Sequence, residues 1–284
     1  MFRRFRFLLL SAALPGSAAL AAEIVARPVN VDLTKAPALD AFKDAKEEAI
    51  ALMAQPMIVP RPATANTTQV FVRAIHDKDW IAFALRWADT ENSGAGHLGE
   101  YSDAVALQFP VKDHKNPPPI FMGAKGAPVH IYHWRAMYQL DRDKGKRTIK
   151  DLYPNMNVDM YPMEFPDMAD LHDVDESKRE VYSYGRAAGN PQSYAKKGVD
   201  ELLAEGFGTS SVIENVAADG GGVWANNEWN VVITRPLKRE GASVLPVGDS
   251  TFVGFAVWQG GHDEVGSRKA VTMVWTPLKI EDAK

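Results

Sequence analysis

Between Gln69 and Trp87 apolar residues recur at every second position, on both sides of one polar break, Asp77-Lys78-Asp79. Val70, Val72 and Ala74 alternate with Phe71 and Arg73, and a second run goes from Trp80 to Trp87. Successive side chains of a strand point to opposite faces, so period two marks an extended chain, and turn-forming residues between two such runs mark a hairpin. Further strand patterns occupy 101–109, 129–137, 228–235, 251–258 and 269–275. Little helical sequence separates them, and the expectation is a mainly β chain: an antiparallel β-sandwich with short helices. One helix is predicted over 38–53, where Leu39, Phe42, Ala45, Ala49 and Leu52 fall near one face after Pro37. A second, short one is a candidate at 199–204.

The stretch 141–205 breaks this rhythm. Basic residues lead into "DLYPNMNVDMYPMEFPDM" and then a charged run, and its apolar residues keep no sustained period. It reads as a long irregular insertion within one domain, and long segments of this kind often form binding surfaces. At the N-terminus, Arg3, Arg4 and Arg6 precede an apolar run at 7–14 and the small-x-small site Ala19-Leu20-Ala21, the pattern of an export signal cleaved after residue 21. Arg6 stands where a twin-arginine signal prefers an apolar residue, which favours the general secretory route. The apolar run is too short to span a bilayer, which takes about 20 residues. The expected product is a soluble periplasmic protein without a membrane anchor, a single domain over 22–284. Its lack of cysteine excludes disulfides, thiolate metal sites and covalent haem attachment. Lys and Arg are dispersed rather than gathered into a stripe, which argues against nucleic acid.

Enzyme signatures are missing: no G-x-S-x-G, H-E-x-x-H, P-loop or dinucleotide fingerprint occurs. Asp77, Asp79, Asp89 and Glu91 suit either calcium or polar turns, and turns favour such residues anyway. His130 and His133 are three apart, which on a strand places them on opposite faces, unable to share one metal. In "RKAVTMVW" alternation puts Lys269, Val271, Met273 and Trp275 on one face, so Lys269 is either a strand-end lysine reaching water or an amine deprotonated by burial. Met122, beside Phe121 and Gly123, is either core filler or a soft thioether donor. Periodicity leaves both pairs of readings open. Trp80, Trp224 and Trp229 would serve a different class of protein, a haem-free sandwich that binds sugars.

Taken in order, "AIALMAQPMIVPRP", "VFVRAIHDKDWIAFALRWADTE", "YSDAVALQFPV", "FMGAKGAPVHIYHWRA", "ELLAEGFGTSSV", "VWANNEWNVVITRPL" and "FAVWQGGHDEVGSRKAVTMVWTPL" resemble a known family. It is that of the haem b-binding gamma subunits of periplasmic molybdenum enzymes related to dimethylsulfoxide reductase, among them those of ethylbenzene dehydrogenase, dimethylsulfide dehydrogenase, chlorate reductase and selenate reductase. The resemblance implies a sandwich carrying one non-covalent haem b between methionine and lysine ligands. It implies an electron-transfer subunit rather than an enzyme, partnered by molybdenum and iron-sulfur subunits and a periplasmic cytochrome. The family methionine falls on Met122 and the lysine on Lys269, in the G-x-R-K element. Lys238 stands as an alternative for the lysine. His133, in a "HIYHW" run richer in histidine than its relatives, is a further alternative. An autonomous periplasmic cytochrome b or haem sensor would share the haem but lack the molybdoenzyme partner.

Overall fold

Each alternating run stays extended because its two faces meet different surroundings. The computed structural model describes residues 22–94, 97, 99–145, 152–155 and 198–282. The expected export signal and most of the stretch 141–205 lie outside the described residues. In chain order the strands begin with β1 (Ile24–Pro28), β2 (Glu48–Ala51), β3 (Met53–Ala54), β4 (Gln69–His76), β5 (Trp80–Ala88), β6 (Ala104–Pro110) and β7 (Val129–Arg135). They continue with β8 (Val199–Ala204), β9 (Ser211–Val212), β10 (Asp219–Ala225), β11 (Glu228–Pro236), β12 (Ser250–Trp258), β13 (Ala270–Val271) and β14 (Thr276–Ile280). A helix, α1 (Ala136–Lys144), follows β7.

Among the described residues all fourteen strands join one sheet that folds over on itself. One layer runs β10-β11-β5-β4-β1-β14 and the other β12-β6-β7-β8-β9. Among the described residues every strand pairing is antiparallel except those of β1, which lies parallel to both β4 and β14. β12 belongs to both layers: Ser250 to Val253 pair with β14, and Gly254 to Trp258 pair with β6. Strands that switch layers bend at such points, and the change here falls on a glycine. Between the layers, Phe83, Leu85 and Trp87 of β5 with Trp229, Val231 and Ile233 of β11 meet Val105, Leu107 and Phe109 of β6 with Tyr132 and Trp134 of β7. The rings of Phe83 and Phe109 lie 5.8 Å apart, and those of Trp134 and Trp229 5.0 Å. The triple glycine 220–222 serves this packing, because a Cβ on Gly222 would sit 2.4 Å from Trp134 Cζ2.

The β4–β5 hairpin closes where the polar break predicts. Asp77 Oδ1 accepts hydrogen bonds from the backbone N–H groups of Asp79 (2.8 Å) and Trp80 (2.7 Å), the turn role rather than the calcium role. Other expectations need correcting. The helix predicted over 38–53 is a 3₁₀ turn at Leu39–Phe42 followed by β2. Its apparent stripe serves two surfaces: Phe42 and Ala45 cover the outer face of the first layer, while Ile50 enters the central core and pairs with Val70. Residues 199–204, a short helix candidate, form β8, because pairing with β7 outweighs helical propensity. The strand at 129–137 stops at Arg135, and the one at 269–275 shrinks to Ala270–Val271.

Candidate functional site

The second layer has a core on one face and a cavity of about 670 Å³ on the other. Strand register lays out the cavity floor in rows. Arg135, Ala104 and Trp258 are neighbours across β7, β6 and β12, then His133, Ala106 and Ala256, then Ile131, Gln108 and Gly254. All nine line the cavity. Along β6 and β12 the floor is mostly alanine and glycine, so it stays low and flat between larger side chains. Glycine and small residues in a strand mark places where a ligand approaches the backbone closely. The volume falls within the roughly 300–1,000 Å³ of cofactor pockets.

Two loops wall the floor. One carries Met122, half-buried and packed against the cluster that includes Ala104, Ala106, Ile131 and Trp258. Its backbone is left-handed, φ 63°. That conformation is uncommon for a residue with a long side chain and costs about 1–2 kcal/mol. The surroundings enforce it: the Met122 N–H donates to Ile120 O at 3.0 Å, and Met122 O accepts from Gly206 N at 2.8 Å. Gly123 follows at φ 75°, where a Cβ would lie 2.6 Å from Ala127 O. Strained residues cluster at sites where position matters more than local comfort.

The other loop ends at Lys269. Its carbonyl accepts from Gln55 N at 2.9 Å, and its Nζ lies 4.7 Å from the centre of the Trp258 ring. Burial pushes the Lys269 amine down to about 8, far nearer neutrality than an exposed lysine. Trp258 anchors the same loop through its Nε1–H to Gly266 O at 3.0 Å. His133 stacks on that indole, ring centres 4.7 Å apart and planes 28° from parallel. Burial, then the charges of Arg135 and Lys269, hold the His133 imidazole well below its usual range, and its buried Nε2 has no hydrogen-bond partner among the described residues. The cavity therefore gathers a thioether, an amine and a neutral imidazole, a donor set that suits haem iron.

Met122 and Lys269 thus come to one cavity from distant parts of the chain, and His133 joins them. Lys238 does not: it is exposed, bridged to Val244, and absent from the cavity lining. His130 points to the opposite face from His133, as strand geometry requires. There its Nδ1 meets Ser243 Oγ at 2.8 Å and its Nε2 meets Glu201 at 3.0 Å. Of the tryptophans considered for sugar binding, Trp229 is buried with its Nε1–H on Asp103 at 2.9 Å, and Trp224 donates to Asp89 O at 3.0 Å. Sequence reasoning missed Trp258 and the alanine floor. The alternation 104–106–108 was there to be seen, but nothing in it says which face of the layer is open.

Residues 29–270 match the family model described as Ethylbenzene dehydrogenase. The chain belongs to the ethylbenzene dehydrogenase family. It is similar to the chlorate reductase subunit gamma of Ideonella dechloratans, 26% identical over 222 residues covering 76% of this chain and 67% of the relative. It is also similar to a provisionally named respiratory nitrate reductase heme subunit of Haloferax mediterranei, 22% identical over 263 residues covering 88% of this chain and 74% of the relative. Among solved structures it is similar to a family 9 carbohydrate binding module of Caldicellulosiruptor kristjanssonii in complex with glucose. The TM-score there is 0.43 at 6% identity, over 93% of this chain and 97% of that one. Likeness of that degree carries nothing about a ligand. Among the described residues no helix is long and apolar enough to cross a membrane.

Proposed function

We propose that this member of the ethylbenzene dehydrogenase family is an electron-transfer subunit holding one b-type haem in the cavity, with Met122 and Lys269 as axial ligands. The observation that carries the reading is the convergence of these two side chains, one on a strained loop, on a single flat-floored cavity. The names of its relatives, a reductase gamma subunit and a heme subunit, support it. With no cysteine in the chain, attachment is non-covalent. Arg135, in the floor, is placed to pair with a propionate, the kind of bidentate contact guanidinium favours.

Bound haem supplies one-electron exchange between ferric and ferrous iron. Met122 and Lys269 would hold the iron as two neutral donors, which would favour a high reduction potential. Lys269 must shed its proton to bind, and the surroundings that lower its pKa make that step easier. With Met122 and Lys269 both holding the iron, no position would remain for a substrate, so the chain would relay electrons while its partners perform catalysis. Those partners are proposed to be molybdenum and iron-sulfur subunits, with a periplasmic cytochrome as the further carrier. Residues 1–21 are proposed as a cleaved export signal, leaving a single periplasmic haem domain over 22–284.

His133 offers a second reading of one ligand, because its Nε2 is the buried, unpartnered nitrogen of the cavity. The functional test is electron exchange by the purified holoprotein. It should accept one electron per chain from dithionite and pass it to a soluble c-type cytochrome, without reducing chlorate or nitrate alone. A purified chain that holds no haem, or that turns over an oxyanion alone, would contradict the proposal.

A further inference from the structure

Two buried carboxyl groups that act on one another, Asp103 and Asp89, hold unequal shares of hydrogen bonds, and Asp103 is the one next in sequence to residues of the cavity. Asp103 sits between Ser102 and Ala104, both of which line the cavity. Its Oδ2 accepts from the Ser93 N–H at 2.7 Å and from Trp229 Nε1 at 2.9 Å, and its Oδ1 accepts from the Gly260 N–H at 2.8 Å. Asp89, just past the end of β5, is 3% exposed. Among the described residues its Oδ1 accepts only the Glu91 N–H, at 3.1 Å, and its buried Oδ2 has no hydrogen-bond partner. Trp87 Nε1 is nearby but buried without an aligned bond of its own. Glu91 adds a further negative charge on the side of Asp103, and His262 faces Asp89 as a weak positive influence.

Two desolvated carboxylates in one site repel, and the pair is relieved by keeping one proton. Burial raises Asp103 too, but its three donors favour the charged form, so Asp89 is the member of the pair that exchanges a proton near neutrality. Burial, then the charge of Asp103, push the Asp89 carboxyl up to about 7. None of this is needed to bind a cofactor.

We infer that Asp89, paired with Asp103, is a redox-linked proton site for the adjoining cavity. The inference rests on the haem reading of that cavity. With haem bound there and one electron supplied by the partner oxidoreductase, Asp89 would take one proton from water at Oδ2. It returns that proton to water when the electron leaves. The link is Coulombic: added negative charge in a medium of low dielectric raises the proton affinity of a neighbouring carboxylate. Asp103 also holds Gly260, at the start of the loop that runs to Lys269, so the pair is mechanically joined to one wall of the cavity.

The test is a redox titration of the holoprotein, stepped from mildly acidic to mildly alkaline pH, with reduced-minus-oxidised infrared spectra of the carboxylic C=O region. In the wild type the midpoint potential should fall as pH rises through neutrality, and reduction should raise a protonated-carboxyl band. Asp89→Asn, nearly isosteric, should lose both and hold the wild type's low-pH potential throughout. Asp103→Asn removes the repelling charge, and the sloping region should move to lower pH. A slope and band that persist in Asp89→Asn, or a pH-independent wild type, would overturn the inference and leave the haem reading standing. A chain that takes up no haem would overturn both, and the carboxyl band of the haem-free protein would still report whether Asp89 is protonated.

Discussion

Met122 adopts a backbone conformation that its own side chain disfavours, and Gly123 makes the turn possible by having no Cβ to strike Ala127 O. Gly123→Ala should cost about 1–3 kcal/mol, from the positive φ and the clash together. Thermal unfolding of the haem-free protein checks it, and an unchanged melting temperature would mean the turn is looser than described. His130 sets a second residue-scale expectation. Burial holds its imidazole at about 4 against an ordinary value of 6.5. The unfolded chain therefore binds the proton first, so this contribution to stability is fully present above about 6.5 and is lost as pH falls through 4. His130→Gln should flatten the stability–pH curve in that window, measured by denaturant unfolding at stepped pH. Sequence alone placed His130 and His133 on opposite faces, because strand alternation is a rigid rule. It left Met122 and Lys269 ambiguous, because a core methionine and a ligand methionine follow the same alternation.

At the scale of elements, β6 and β12 do most to shape the site. Their outer face carries Ala104, Ala106, Gly254 and Ala256, so the floor is built by leaving side chains out. Ala256→Leu should project a branched side chain into the cavity. The expected result is haem uptake reduced at least tenfold with a melting temperature within a few degrees of wild type for the haem-free protein, since the cavity has room where a core would not. Undiminished uptake would place the cofactor elsewhere. Gly222→Ala acts on the opposite face: its Cβ meets Trp134 at 2.4 Å, and overpacking of this kind costs about 1–3 kcal/mol. The alternating strands from β4 to β7 and at β11 and β12 were legible because one buried face imposes period two. Residues 38–53 were not, since their apolar spacing serves an outer cluster and a core strand in succession and only imitates a helix. β8 was equally hidden, because "VDELLA" is held extended by its pairing with β7 and β9.

For the whole molecule, the sandwich separates two tasks. Its interior, closed by the aromatic rings of both layers, supplies stability, and the outer face of the second layer is free to hold a cofactor. That division explains why the fold class could be read early while the site could not. Alternation reveals that one face is buried, but which outer face stays open depends on loops whose paths no local pattern specifies. The central claim is that Met122 and Lys269 grip one haem from two walls of this cavity. The measurement that tests it most directly is the oxidised and reduced visible spectrum of protein from a haem-replete periplasm, for wild type, Met122→Ala, Lys269→Ala and His133→Ala. The account predicts a low-spin b-type spectrum in the wild type and in His133→Ala, turning high-spin or vanishing in the other two variants. A low-spin spectrum that survives Met122→Ala or Lys269→Ala, or that fails in His133→Ala instead, would contradict the assignment.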